Sequence, residues 1–280
     1  MRNEEEHMSA NETVPGTTLP QLDYYELVGP MLRREWDDNF HFAYWLGPDD
    51  EATVEEATDR FTDLLIPKLE AGTGKRVLDV GCGLGKPAVR VARATGAAVL
   101  GITISPYQIG LATERAKAEG LTGQVEFQQA DGTDMPFDDG SFDAVLAFES
   151  IVHMDRRRAL AEMARVVAPG GRVVLTDLFD REDVSDEEAA ERAGRPGALP
   201  RLADYTALLS ECGLVADEIT DISRNVSPSF TMMNDITVAN KDELAKLFGF
   251  TPEQSAEAES MVGQMTGELG CVLLVAHRAA

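Results

Sequence analysis

The sequence predicts an α/β fold with a doubly wound, mostly parallel sheet. Its 280 residues, 44% of them hydrophobic, suit one such domain with insertions. From Lys75 to about Asp177, buried-strand patterns alternate with helix patterns, which favours parallel strands joined by right-handed crossovers. A glycine-rich turn joins the first of these strands to its helix, as in folds that bind a ligand beyond the strand ends.

The N-terminal part is expected to contain no strand. Residues 1 to 18 are polar and acidic, which predicts a disordered tail. Residues 19 to 72 are expected to form a helical cap. Within the cap, residues 19 to 45 concentrate aromatic side chains, and residues 52 to 70 have apolar positions near helical spacing, which predict an amphipathic helix.

Residues 73 to 280 are expected to form the main domain. Its first five strands are predicted at KRVLDV, AAVLGIT, QVEFQQA, FDAVLAF and RVVLTDL. The intervening helices are predicted at GKPAVRVARAT, at SPYQIGLATERAKAEG with Gly120 as its cap, and at RRRALAEMARVV, which APGG ends.

The alternation breaks after Asp177. Residues 178 to 200 are charged and rich in glycine and proline, which indicates a loop or lid segment. A helix at LADYTALLSEC and a strand at LVADEITDIS follow. Residues 224 to 268 are expected to insert two helices as a second lid segment, before CVLLVAHR forms the final strand.

Charge and cysteine usage limit the class of partner. Asp and Glu number 49 against 25 Lys and Arg, giving a net charge of −24 that repels phosphate backbones and anionic lipids. We therefore expect no nucleic-acid and no membrane partner, while solubility or a cationic substrate would both explain the acidity. The three cysteines have no metal-ligand spacing, and the N-terminus has no apolar signal region. These features predict a cytoplasmic protein without a metal site.

The glycine loop VLDVGCGLGKP excludes two familiar nucleotide sites. The dinucleotide fingerprint GxGxxG would need glycine where Lys86 stands. The phosphate loop GxxxxGK[ST] would need glycine at Val80 and a hydroxyl residue at Pro87. With Asp79 just before Gly81, the remaining candidate is a nucleoside ligand that carries an amino-acid group.

Three motifs in order give a family resemblance. VLDVGCGLG, ADGTDMPFDDGSFDAV and ARVVAPGGRVVLTDL together resemble the class I S-adenosylmethionine-dependent methyltransferases, closely over residues 60 to 180. Within that class the chain looks like the enzymes that tailor natural products, such as sugar O-methyltransferases. The resemblance implies a seven-stranded, Rossmann-like sheet and S-adenosylmethionine as cofactor.

The run GITISPYQ departs from the commonest pattern of the class. Many of these enzymes have an acid that binds the ribose where this chain has Thr103. One branch, which includes cyclopropane fatty acid synthases, instead has a GxTxSxxQ run, and Thr103 and Gln108 match it. The resemblance therefore implies that these two neutral side chains share the ribose hydroxyls.

The resemblance also assigns the rest of the cofactor site. Asp131 is expected to accept from the adenine amino group, or else only to cap its own turn. Ile104 is expected against the adenine ring, and Phe148 to offer its backbone near the methionine ammonium. The remaining implied cofactor residues are Asp79, Gly81, Gly83 and Gly132.

Two residues are candidates for proton transfer. Of four histidines, His41 and His153 lie outside the tail and the last strand, and His153 follows the fourth predicted strand. Asp177 ends the fifth. By resemblance, His153 is a general base and Asp177 its orienting carboxylate. The alternative is structural: a helix-start histidine satisfied by backbone and a strand-end cap.

Candidates for the acceptor pocket or the lid come from two segments. HFAYW resembles a run that covers the cofactor in this family, with Ala43 where glycine is common, and it nominates Tyr44 and Trp45 together with Tyr25. A sulfonium beside such rings gains cation–π attraction. Phe230 and Met233 in SPSFTMMND suit an irregular apolar pocket, and plain core packing would explain them equally.

The expected function is methyl transfer to a hydroxyl of a small-molecule natural product. Carbon or nitrogen methylation of a prenyl chain or an amine, a cyclisation that keeps the cofactor intact, and a non-enzymatic sensor remain open alternatives. The acceptor's identity and the oligomeric state, including an exchange of the N-terminal segment in a homo-oligomer, are left open by the sequence.

Overall fold

A computed structural model describes residues 21–181, 199–251 and 269–279. These ranges form a seven-stranded sheet in the order β3-β2-β1-β4-β5-β7-β6, in which β1 to β5 pair in parallel and β7 runs antiparallel to both its neighbours. The predicted α/β fold is confirmed. The strands are β1 (Arg76–Val80), β2 (Ala98–Thr103), β3 (Val125–Gln129), β4 (Phe142–Phe148), β5 (Val167–Asp180), β6 (Leu214–Asp221) and β7 (Leu269–Arg278).

Helices cover both faces of the sheet. They are α1 (Gln21–Glu35), α2 (Val54–Leu65), α3 (Lys86–Thr95), α4 (Pro106–Ala118), α5 (Arg156–Val166), α6 (Tyr205–Glu211), α7 (Ser223–Ala239) and α8 (Lys241–Phe248). The central strand β1 shows why the chain folds this way, since Val77 packs with α2 and α3 on one face while Leu78 packs with α5 and α6 on the other. Strands buried on both faces need continuous apolar runs, as the sequence has.

Polar residues at helix starts fix the turns that follow the strands. Ser105 begins α4, with its side chain accepting from the Gln108 N–H, and Asp155 begins α5 by accepting from the Arg158 N–H. Such N-caps satisfy otherwise unpaired backbone donors. The turns after β2 and β4 are therefore held at the carboxyl edge of the sheet.

Two predicted boundaries are wrong. Strand β5 starts at Val167 and continues to Asp180, because β7 pairs with it as far as Asp180 and Leu269. The first three residues assigned to the lid segment 178–200 are therefore strand. Helix α7 begins at Ser223, directly after β6. The tail 1–18, most of the first lid segment and residues 252–268 lie outside the described residues.

Candidate functional site

A cavity of about 540 Å³ lies at the carboxyl ends of β1 to β4. Its walls come from the turns that follow these strands and from the chain between α1 and α2. We call residues 36–45 the cover segment, since Asp38, Asn39, Phe40 and His41 of this stretch border the cavity. The predicted site residues that line it are Asp79, Gly81, Gly83, Thr103, Ile104, Gln108, Asp131, Gly132, Phe148 and His153.

The glycine loop after β1 needs glycine for two different reasons. Gly81 has a φ of 75°, and a Cβ atom there would collide with Ser150, so this position lets the turn pack against the residue that follows β4. Gly83 has a φ of 52° with no atom within 4 Å of its missing Cβ, so the loop there leaves open space. The loop therefore presents backbone to the cavity.

Asp79 borders the cavity at the end of β1 and is 2% exposed. Its Oδ2 is buried and has no hydrogen-bond partner among the described residues. Burial raises the pKa of Asp79 to about 7, because desolvation disfavours the carboxylate. A cationic group in the cavity would supply the missing partner and favour ionisation.

Thr103 and Gln108 meet at the end of β2. The Thr103 hydroxyl donates to Oε1 of Gln108 over 2.7 Å, and the N–H of Ser105 donates to the Thr103 oxygen over 3.3 Å. Both side chains are buried at the cavity wall. The Gln108 amide nitrogen donates to none of the described residues, so the pair retains donors and acceptors suited to a diol.

The third strand end supplies Asp131 and Gly132. Oδ1 of Asp131 accepts from the backbone N–H and the hydroxyl of Thr133, each over 2.8 Å, so the expected turn cap is present while the residue also lines the cavity. A Cβ on Gly132 would lie 2.9 Å from the Met154 sulfur. Met154, which sequence reasoning missed, therefore forms part of this wall.

Phe148 and His41 form an aromatic wall at the end of β4. Their rings stack with centroids 3.7 Å apart, and Nδ1 of His41 lies 2.7 Å from the Phe42 carbonyl oxygen. Burial lowers the pKa of His41 to about 3, against the opposing effect of that carbonyl. His41 is therefore a neutral ring at neutral pH, which suits it to packing and not to proton transfer.

Glu149 also borders the cavity and was missed by sequence reasoning. Its Oε2 accepts from the Phe42 N–H over 2.8 Å. Burial raises the pKa of Glu149 to about 8, with the charge of Asp177 adding to the effect and the Phe42 N–H opposing it. The signal available in the sequence was an acid directly after the predicted fourth strand, in AFES.

His153 lines the cavity, but Asp177 lies behind the wall in a different network. The Asp177 side chain is fully buried and forms two hydrogen bonds with Arg156, over 2.7 and 3.1 Å. It also accepts from the Tyr205 hydroxyl and the Leu178 N–H, each over 2.8 Å. These four donors occupy the acceptor positions of the carboxylate. Burial lowers the pKa of His153 to about 4, and the charge of Arg156 adds to the shift.

Of the aromatic and methionine candidates, Tyr44, Trp45, Phe230 and Met233 are not among the residues that line the cavity. The Tyr44 ring packs on Phe61 with centroids 5.6 Å apart, and the Phe230 ring packs on Phe42 at 4.6 Å. Trp45 is buried in a cluster that includes Met233. Tyr25 is in α1, and its side chain lies outside the described part.

The cover segment is hydrogen-bonded to the rest of the fold despite alanine at position 43. The Ala43 N–H donates to the Ser229 hydroxyl over 3.0 Å, and that hydroxyl donates back to the Ala43 carbonyl over 3.2 Å. The Trp45 N–H donates to the carbonyl of Asn225 over 2.9 Å. Ala43 is fully buried, and its backbone contacts α7 through the Ser229 side chain.

The described residues offer neither a membrane-spanning helix nor a metal-binding cluster. None of their helices is long and apolar enough to cross a membrane. In the same ranges, no group of three or more His, Cys, Asp or Glu residues could hold a metal ion. Metal independence remains an expectation.

The chain is similar in sequence to known methyltransferases and in structure to a cyclase. Residues 78–175 match a family model described as a methyltransferase domain. Methyltransferase GfsG of Streptomyces halstedii is 39% identical, over 74% of this chain and 77% of that protein. The 27-O-demethylrifamycin SV methyltransferase of Amycolatopsis mediterranei (strain S699) is 37% identical, over 91% of this chain and 95% of that protein. Among solved structures, the 4+2 cyclase SpnF has a TM-score of 0.80 and 29% identity, over 94% of this chain and 97% of that one.

Proposed function

Because the chain belongs to the S-adenosylmethionine-dependent methyltransferases of natural-product type, we propose that it methylates a hydroxyl group of a small-molecule natural product. One observation carries the acceptor class: the similarity to the rifamycin methyltransferase extends over nearly the whole of both chains.

The residues of the cavity fit the cofactor. The unpartnered carboxyl oxygen of Asp79 suits the ammonium group of the amino-acid end, beside the open space at Gly83. Thr103 and Gln108 suit the ribose diol. The family resemblance implies that the adenine would lie between Asp131, Gly132 and Ile104, and the ammonium near the Phe148 backbone. When bound, S-adenosylmethionine supplies an electrophilic methyl group on a sulfonium.

The charges of the cavity favour a cationic ligand. Its described lining includes six carboxyl side chains, from Asp38, Asp79, Asp131, Asp134, Glu149 and Asp155. The two lining histidines, His41 and His153, have pKa values lowered to about 3 and about 4 and are neutral at neutral pH. Arg158 is the single guanidinium or ammonium side chain among the described lining residues, so a sulfonium meets several carboxyl oxygens and one like charge in this space.

We assign the first contact with the acceptor proton to His153. Its neutral ring borders the cavity and can accept a hydrogen bond from a hydroxyl. Asp177 would act on it indirectly, because its carboxylate fixes Arg156, and the charge of Arg156 adds to the burial that keeps the imidazole neutral. Holding the acceptor in line lowers the reaction barrier more than the general base does. Orientation can remove about 7–11 kcal/mol of the barrier, whereas a general base raises the rate about 10²–10⁴-fold.

The test is methyl transfer to defined acceptors. Purified protein would be incubated with S-adenosylmethionine and a panel of hydroxylated natural products that includes 27-O-demethylrifamycin SV. We expect S-adenosylhomocysteine to form together with a product whose new methyl group is on oxygen by NMR. A methyl group found on carbon or nitrogen would contradict the proposal, and a panel that gives no S-adenosylhomocysteine at all would do the same.

A second candidate function is a cyclisation that leaves the cofactor intact. The specific observation in its favour is the 29% identity to a 4+2 cyclase over nearly the whole length of both chains. The same incubations distinguish the two, because a cyclisation gives an isomer of unchanged mass and no S-adenosylhomocysteine. Carbon or nitrogen methylation remains an alternative that the position of the methyl group decides.

The remaining expectations concern location and partners. The net charge of −24 supports a protein without nucleic-acid or membrane partners, and the free cysteines support a cytoplasmic location. A homo-oligomer, with or without exchange of the N-terminal segment, would be recognised by light scattering of the purified chain.

A further inference from the structure

Glu149 is a buried titratable residue of the cavity that the proposed chemistry has not used. It follows β4 with a φ of 51°, a left-handed conformation that is costly for residues other than glycine. Such strain persists where the surrounding structure fixes a residue in one position. Here the Glu149 N–H donates to the Thr176 hydroxyl over 3.0 Å, while Oε2 accepts from the Phe42 N–H of the cover segment.

The second carboxyl oxygen of Glu149 has no hydrogen-bond partner. Oε1 is buried, and no described group donates to it. The titratable groups around this carboxyl are Asp177 on β5, the Cys271 thiol on β7 and the neutral His41 of the cover segment. Asp177 disfavours a second negative charge, and the remaining two supply no positive one. An uncharged, protonated Glu149 is therefore the stable form of this cavity without its ligand.

We propose that Glu149 follows the charge on the cofactor sulfur, as a carboxylate beside the sulfonium of S-adenosylmethionine and as a neutral acid beside S-adenosylhomocysteine. The methyl-transfer part of this inference rests on the proposed function. The physical cause is general, since an opposite charge within about 4–6 Å lowers a carboxyl pKa by about 1–3 units. Removing that charge returns the pKa of Glu149 to about 8.

The inference accounts for the proton of the acceptor. As the acceptor oxygen bonds to the methyl carbon, the S–CH₃ bond breaks, its electron pair stays on sulfur and the hydroxyl proton leaves. If that proton ends on the Glu149 carboxylate, one negative and one positive charge disappear together, and the net charge of the cavity stays constant. His153 can receive the proton first, but a pKa of about 4 prevents it from keeping the proton at neutral pH.

The test counts the protons exchanged on cofactor binding. The protein would be titrated calorimetrically at pH 7.5 with S-adenosylmethionine and with S-adenosylhomocysteine, in buffers of different ionisation enthalpy. On binding the sulfonium ligand instead of S-adenosylhomocysteine, wild-type protein should release about half to three-quarters of a proton more than Glu149→Gln does. Comparing the two proteins cancels the protons of Asp79 and of the ligands themselves. Glu114→Gln, on the exposed face of α4, is the matched control and should behave as wild type.

Equal differences in wild type and Glu149→Gln would overturn the inference. A second measurement needs no variant and covers the case in which Glu149→Gln fails to fold. In protein labelled with δ-¹³C glutamate, one carboxyl resonance should be protonated at pH 7 with S-adenosylhomocysteine bound and ionised with S-adenosylmethionine bound. A spectrum in which every glutamate keeps the same protonation in both complexes would also overturn it.

These results separate the inference from the proposed function. An O-methylated product without the proton difference would remove the role of Glu149 and leave hydroxyl methylation in place. A proton difference without any methyl transfer would retain the response of Glu149 to the sulfonium and remove its role as the final proton acceptor.

Discussion

At the scale of single residues, Thr103 and Gln108 determine how the cofactor ribose is held. Replacing both with alanine removes the 2.7 Å hydrogen bond between them and the donors and acceptors that the pair offers to a diol. At about 0.5–1.5 kcal/mol for each hydrogen bond lost, we expect cofactor affinity to fall about ten- to a hundredfold. Calorimetric titration with S-adenosylhomocysteine measures this, and an unchanged Kd would contradict the assignment.

The contributions of His153 and Asp177 should differ in kind. We expect His153→Ala to lower kcat about 10²–10⁴-fold with little change in thermal stability, because the ring borders the cavity. Asp177→Asn should instead lower the free energy of unfolding by about 3–5 kcal/mol, because it leaves the buried Arg156 charge without its partner. Urea denaturation and steady-state kinetics of both variants check this. If Asp177→Asn is as stable as wild type but loses as much kcat as His153→Ala, the result would instead support a direct pair of His153 and Asp177.

The sequence predicts some of these side chains better than others. Thr103 and Gln108 end a strand and begin a helix five residues apart, so local structure alone brings them together. The partner of Asp177 was not predictable in this way, because RRR offers three arginines at the start of α5 and only packing selects Arg156. Glu149 was missed because its properties depend on Phe42, 107 residues away, and on the charge of Asp177.

At the scale of elements, ion pairs hold the cover segment over the cavity. Asp37 pairs with Lys86 at the start of α3 over 2.8 Å, and Lys86 also contacts Asp59 of α2 over 3.1 Å. The next residue, Asp38, pairs with Arg115 of α4. Neighbouring residues of one short segment are thus tied to α3 and α4, and Lys86 in turn links α3 to α2.

Breaking this attachment should speed cofactor release. In Lys86→Met, Asp37 and Asp59 lose a half-buried counter-charge, so we expect the dissociation rate of S-adenosylhomocysteine to rise about tenfold. Stopped-flow fluorescence can follow release, because Trp36 and Trp45 belong to the cover segment. Lys117→Met, on the exposed side of α4, is the matched control. Equal rates in the two variants would mean that the ion pairs do not retain the cofactor.

The sequence predicts a strand or helix well when the residues of that element alone form a recognisable pattern. β1 to β4 and their helices follow the predicted order because each has its own apolar run and capping residue. The ends of β5 and the start of α7 depend instead on β7, which pairs with β5 and contacts Ser223 from positions far along the chain. Local patterns contain no information about such pairings.

At the scale of the whole molecule, the cavity groups predict how stability changes with pH. The folded-state pKa values of Asp79 and Glu149 are raised, to about 7 and about 8, so their stabilising contribution is lost as the pH rises through those values. The pKa values of His41 and His153 are lowered, to about 3 and about 4, so their contribution is lost as the pH falls below 6.5.

Below pH 6.5, the carboxyl groups and the histidines change the free energy of unfolding in opposite directions. Above pH 6.5, only Asp79 and Glu149 still change it. From these groups we expect the free energy of unfolding of the cofactor-free protein to fall between pH 6.5 and 8. Urea denaturation across this range measures the change, and Glu149→Gln should flatten the slope. A free energy of unfolding that rises over the same range would show that other groups dominate.

The position of β7 has a consequence for synthesis on the ribosome. This strand is made after β6 but lies between β5 and β6, so β6 has no neighbour in the sheet until residues 269–278 leave the exit tunnel. The nascent chain must therefore hold a partly formed sheet with open strand edges until β7 has been made and has left the tunnel. Open edges invite pairing with other chains. Slow codons late in the message would lengthen that interval, and chaperone demand should depend on translation speed there more than over the first half of the chain.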